Sequence, residues 1–169
     1  MSAPETPRTA RVIVASTSAA AGEATDRTGP VIVAWLRERG FETPDPVVVA
    51  DGGPVAEAVT RALAEGADAV LTTGGTGISP SDATPEAVDP LLDVRLPGLI
   101  EELRRRGTAA GLPNAALTRG VAGFAGSAFV MTFPGSPGGV RDGLAVLDPL
   151  LEHLLDQRSG SPRGSHGAR

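Results

Sequence analysis

Four short runs, RVIVAST (11–17), PVVVA (46–50), AVLTT (69–73) and SAFVMTF (127–133), each hold at least three apolar residues in succession. None alternates apolar with polar positions, so each reads as a strand buried on both faces rather than one half-exposed to water. Helical patterns lie between them. PVIVAWLRERG follows Thr28-Gly29, either of which can cap, and stops at Gly40. VAEAVTRALAEG follows Asp51-Gly52-Gly53 and Pro54. A third helix is expected after a Thr84 cap, a fourth over Pro97–Gly107, and a fifth over VRDGLAVLDPLLEHLLD, interrupted at Pro149. Residues 115–123 read as a short strand and turn.

Strand–helix alternation with apolar strands predicts an α/β fold of three layers, α/β/α, around a mainly parallel sheet with right-handed crossovers. At 169 residues the chain fits one domain, expected over 10–155, between a loose N-terminus (1–9) and a disordered tail (156–169) poor in apolar residues. Aromatics make up only 3% of the chain, so the core must be built from Val, Leu, Ile and Ala.

With no cysteine, disulfides, thiolate metal sites and cysteine nucleophiles are excluded. The two histidines, His153 and His166, both near the C-terminus, leave no basis for a histidine-rich zinc site or a serine–histidine triad. A net charge of −5 and the lack of a basic stripe interleaved with aromatics argue against nucleic acid. Arg104-Arg105-Arg106 shares its helix with Glu101 and Glu102 and reads as a solvated face. No apolar run is long enough to cross a membrane. The N-terminal residues lack the apolar core of a secretory signal, so a cytoplasmic protein is the expectation.

In parallel sheets of this kind, ligands bind outside the carboxyl ends of the strands, where strand order reverses. That rule selects the loops 16–28, 51–53, 74–84 and 134–138. The third carries Gly74, Gly75, Thr76 and Gly77 after Thr73. Glycines there leave bare amides free to approach an anion, and the next helix start adds partial positive charge. The loop is no Walker P-loop, since the chain contains no lysine, and its spacing is not that of a dinucleotide fingerprint. Asp51 and Asp82 follow the second and third strands. Each can serve as a turn or cap residue, or the two can hold Mg²⁺ against substrate phosphates. Pro134, Gly135, Ser136 and Pro137 can form a rigid turn. Arg119 can bind an anionic ligand or make a surface ion pair.

TTGGTG followed by D-x-TPEA (72–87) resembles the signature of molybdenum-cofactor biosynthesis proteins of the MogA/MoaB type. GEATDRTGP (22–30), the strand-end Asp51, LPGLIEELR (96–104), LTR (117–119) and FPGSP (133–137) continue the likeness over roughly residues 11–150. The resemblance implies the molybdopterin-binding fold, assembly as a homotrimer or hexamer, and Mg²⁺- and ATP-dependent adenylylation of molybdopterin. It also implies a partner for later molybdate insertion. By motif position it makes Asp51 and Asp82 the catalytic and Mg²⁺-binding residues. Thr73, Gly74, Gly75, Thr76 and Gly77 would hold phosphate, and Thr118, Arg119, Pro134, Gly135 and Ser136 would line the pterin or phosphate side.

The sequence departs from the family pattern in places. Thr17 and Ser18 stand where many members have Asp-Arg, Ile100 replaces a usual glycine, and Gly138-Gly139 stand where lysine is frequent. The first departure favours a second reading, a paralogue that binds molybdopterin without adenylylating it. A third reading is a nucleotide enzyme of the competence-damage type on the same fold, which favours a paired Asp-Asp where Asp82 here stands alone.

Overall fold

A computed structural model describes residues 6–160. Six strands form one sheet: β1 (Ala10–Ala15), β2 (Val47–Val49), β3 (Ala69–Thr73), β4 (Val94–Arg95), β5 (Ala122–Ala125) and β6 (Ala128–Phe133). Their spatial order is β2-β1-β3-β6-β5-β4. The β2, β1, β3 and β6 strands are parallel, while β5 runs antiparallel to both of its neighbours. The fold is thus the α/β class with a mixed, mostly parallel sheet. The chain steps from β1 out to β2 and then across to β3, so strand order reverses between β1 and β3.

Seven α-helices accompany the sheet: α1 (Thr17–Ala20), α2 (Gly29–Glu38), α3 (Gly53–Ala64), α4 (Thr84–Val88), α5 (Pro97–Ala109), α6 (Pro137–Leu147) and α7 (Leu151–Ser159). Residues alternate across the strands into two cores. One face sends Val12, Leu71, Phe129, Met131 and Phe133 against α2, α5, α6 and α7, through Ile32, Leu36, Leu103, Leu147 and Leu155. The other sends Ile13, Val70 and Val130 against Val55, Val59 and Ala62 of α3, with Val88 and Leu92. These two cores make the three layers.

Several expectations need correction. The β2 run, expected to be buried on both faces, is an edge strand, and Val47 is 46% exposed. Thr28 stands at the N-cap of α2, as expected, but its side chain makes no capping hydrogen bond. Asp26 supplies such bonds instead, accepting from Thr28 N (3.0 Å) and Gly29 N (2.9 Å). Thr84 is the first residue of α4 rather than its cap. The Pro149 break is real: α6 ends at Leu147 and α7 begins at Leu151. The strand expected within 115–123 lies later, as β5, after a 3₁₀ turn over Pro113–Leu117.

Residues at both described ends, expected to be loose or disordered, make defined contacts. Residues 156–159 belong to α7, and Arg8 Nη2 donates to Asp156 Oδ1 at 2.5 Å. Thr9 N donates to Asp68 Oδ2 (2.8 Å), and Arg158 Nε to the Gly126 carbonyl (3.0 Å). Polar residues here form long-range contacts with the amino-terminal rim of the sheet. Residues 1–5 and 161–169 lie outside the described part.

Candidate functional site

At the carboxyl rim, the β3 strand delivers the chain into the glycine loop directly over the end of β1. Gly74 has φ +95°, and a Cβ there would stand 2.2 Å from the Ala15 carbonyl oxygen. Only glycine satisfies both the left-handed backbone and that close approach. The loop is then stitched at several points. Gly74 N donates to Phe133 O (3.0 Å), Thr84 Oγ1 to Gly74 O (2.9 Å) and Thr84 N to Gly75 O (3.0 Å). A Cβ on Gly75 would meet Thr84 Oγ1 at 2.3 Å and Asp51 Oδ1 at 2.8 Å. The loop therefore follows one fixed path. The following helix, α4, has only five residues, and within the loop the amides of Gly74 and Ser79 are already bonded, to Phe133 O and Asp82 Oδ2.

Two clefts open on either side of this loop. One, about 650 Å³, is lined by the first loop (Ser16–Ala19, Glu23 and 25–28), Asp51, Thr73, Gly74 and Ser81. The other, about 560 Å³, is lined by Thr76–Ser79, Leu103, Leu112, Leu117, Thr118, Ser136 and Asp142. Gly75, Asp82 and Gly135 line both, so the loop is a partition with the Asp82 carboxylate on it. Both volumes fall in the range of small-molecule sites, about 300–1,000 Å³.

Asp51 is held from the first loop. Its Oδ2 accepts from Thr17 N (3.1 Å) and Thr17 Oγ1 (2.9 Å), while Asp51 N donates to Thr17 Oγ1 (3.2 Å). Thr17 thus orients the Asp51 carboxylate from the first loop. Asp82 Oδ2 accepts from Ser79 N at 2.9 Å. Each carboxylate keeps its Oδ1 without an intramolecular donor among the described residues. Nowhere among those residues do three His, Cys, Asp or Glu side chains gather to hold a metal. Two carboxylates on one cleft, completed by phosphate oxygens, are nonetheless a donor set that fits Mg²⁺.

The remaining expected residues divide by what their side chains do. Thr73 is buried, with Oγ1 donating to Pro134 O (2.8 Å) and lying 3.2 Å from the Thr28 hydroxyl oxygen, which can donate to it. Thr118 Oγ1 donates to Thr76 Oγ1 at 3.1 Å. Ser136 caps α6, accepting from Gly139 N at 3.1 Å. Arg119 lines neither cleft. Its Nε donates to Gly77 O (2.8 Å), its Nη2 to Asp82 O (2.9 Å) and its Nη1 to the Glu86 carboxylate. Its backbone N also donates to Thr76 O at 2.8 Å. Arg119 therefore pins both ends of the 77–82 segment, and the hydrogen bond it donates holds the Glu86 carboxyl below its usual range. Sequence reasoning missed Asn114 and Asp142 in the second cleft; neither sits in a glycine loop or at a strand end, the two signals it used.

A family model described as "Probable molybdopterin binding domain" matches residues 11–153. The chain is 38% identical over 157 residues to a molybdenum cofactor biosynthesis bifunctional protein from Synechococcus elongatus, covering 92% of this chain and 49% of that protein. It is 34% identical to a molybdopterin adenylyltransferase from Pyrococcus furiosus, covering 89% and 92% of the two chains. The chain spans about half the length of the bifunctional relatives it matches. The solved structure of the molybdopterin biosynthesis Mog protein from Mycobacterium ulcerans superimposes with a TM-score of 0.87 at 48% identity, covering 93% of this chain and 100% of that one. By the matched family model, these identities and the shared fold, the chain belongs to the molybdopterin-binding domain family, alongside proteins of the MogA/MoaB type.

Proposed function

We propose that this protein acts in molybdenum cofactor biosynthesis by transferring the adenylyl group of ATP to molybdopterin. The observation that carries the reading is the shared partition: one acidic, glycine-rich wall borders two clefts, one on each side of Asp82. A transfer between two bound substrates needs such a meeting point. A terminal phosphate oxygen of molybdopterin would form a bond to the α-phosphorus of ATP as the bond to the β-phosphate oxygen breaks, releasing pyrophosphate. That nucleophile is already anionic, which agrees with a site that offers no histidine or activated serine.

The protein's task is then to bring two polyanions together and hold them in line. Two unit charges 4 Å apart interact by about 4 kcal/mol at an effective dielectric of 20. The glycine-loop amides offset part of this repulsion. Mg²⁺, when bound by Asp51 and Asp82, would supply the compensating positive charge. Thr17 fixes the Asp51 carboxylate, and Ser79 with Arg119 fixes Asp82.

Incubation with molybdopterin, ATP and Mg²⁺ tests the reading by following pyrophosphate and adenylyl-molybdopterin. Turnover is expected to fall at least a hundredfold in Asp82→Asn. No product from the unaltered protein, together with tight molybdopterin binding, would establish instead the binding paralogue, the reading favoured by Thr17 and Ser18 in the first loop.

A further inference from the structure

The second cleft has an uneven charge pattern. Among the described residues, no basic side chain lines it, yet two carboxylates do, Asp82 on the glycine-rich loop and Asp142 on α6. The Asp142 side chain is 25% exposed, and its nearest cation, Arg106 Nε, stands 3.4 Å from Oδ1. That is longer than a well-made charge-assisted hydrogen bond, so the carboxylate keeps acceptor capacity that its surroundings do not use. A three-quarters buried carboxylate in this condition favours a ligand able to donate to it.

Close backbone packing brings apolar lining up beside Asp142. Its Oδ2 faces Gly107, 4.0 Å from where a Cβ would stand, and a Cβ there would lie only 2.3 Å from Ala115 Cβ. Gly139 is equally constrained, a Cβ there meeting Pro134 Cβ at 2.6 Å. These glycines let α5 and α6 pack closely against Ala115 and Pro134, and Leu103, Leu112 and Leu117 add apolar lining to the cleft. Leu112 and Leu117 are also 54% and 47% exposed, apolar surface that a ring can cover.

We infer that Asp142 is the specificity-determining residue of this cleft, accepting paired hydrogen bonds from the amino and ring N–H groups of a 2-amino-4-oxo heterocycle whose phosphate rests on the glycine loop. A carboxylate matches two parallel N–H donors as it matches the fork of a guanidinium. The same carboxylate repels a ring that presents a carbonyl where the amino group stands. The cleft thus sorts ligands by donor pattern at one end and by negative charge at the other. This rests on the proposed reading of the cleft as the molybdopterin side, but its test does not require turnover.

The test compares 6-hydroxymethylpterin phosphate with the corresponding lumazine phosphate, in which an oxo group replaces the 2-amino group, by fluorescence titration of the full chain. Both carry the same phosphate, so any difference isolates the amino group. The unaltered protein is expected to prefer the pterin at least tenfold. Asp142→Asn is expected to cut that preference below threefold while leaving Mg-ATP affinity unchanged. Equal affinity for the two rings in the unaltered protein, no binding of either, or a preference that survives Asp142→Asn would overturn the inference. If the preference is found but no adenylyl transfer occurs, the inference stands and the catalytic reading fails. If transfer occurs without the preference, the inference alone fails.

Discussion

Replacing Arg119 with methionine keeps most of the side-chain length and removes every donor that holds the 77–82 segment from that side. Two of the lost hydrogen bonds run from a charged group to the carbonyls of Gly77 and Asp82, at 2.8 and 2.9 Å. Hydrogen bonds involving an ionised partner contribute about 1.5–3 kcal/mol each. The Arg119 side chain is 38% exposed, which places each at the low end. The exposed contact with Glu86 adds little. The sum, about 2–3 kcal/mol, falls on local opening of the loop, because no core residue is touched.

Hydrogen exchange reads that quantity directly. The amides of Ser79, Asp82 and Thr84 are protected by bonds within the loop, to Asp82 Oδ2, Ser79 O and Gly75 O. In Arg119→Met they should exchange about 30- to 150-fold faster, at about 1.4 kcal/mol per tenfold. The β3 amides should keep their rates. Arg119→Lys should recover less than half of the protection, because an ammonium lacks the planar fork that reaches both carbonyls. If those three amides exchange within threefold of the unaltered protein while the chain stays folded, Arg119 does not hold the loop.

Two further outcomes follow from the same geometry. Gly74→Ala places a Cβ against the Ala15 carbonyl in a left-handed backbone. It should destabilise the fold by about 3 kcal/mol or more, a fall in Tm of about 6–12 °C by calorimetry. The Glu86 carboxyl lies below its ordinary value of 4.5 because Arg119 donates to it. A depressed folded value means this contribution is fully present above pH 4.5 and is lost as pH falls through the lowered value. In Glu86→Gln, that part of the acid-induced loss of stability should vanish in pH-dependent denaturant titrations.

What the sequence made legible has a physical pattern. The β3 strand and its loop could be placed because an unbroken apolar run ending in glycines has few alternatives, and the strand-end rule then located Asp51 and Asp82. An edge strand defeats the same reasoning: three successive valines look alike in the centre of a sheet and at its margin, and only the neighbours decide. The two-residue β4 carries no periodicity of its own. It is held because Gly123 lets the β5 backbone approach, a Cβ there lying 2.0 Å from Val94 O. Arg119 was visible as a lone cation, but its three acceptors come from residues 33 to 42 positions away. No local pattern can tell a loop pin from a ligand contact. Asp142 sits on a helix and enters the cleft only through packing of α5 against α6.

The contact between Arg8 and Asp156 has an architectural meaning. It joins the segment before β1 to the last helix at the amino-terminal rim of the sheet, while both clefts open at the carboxyl-terminal rim. Polypeptide continuing from either side of this pair would start at the rim of the sheet opposite the openings. Such an arrangement allows the domain to be spliced into a larger polypeptide without shading the places where small molecules enter and leave. The bifunctional relatives that this chain matches are about twice its length.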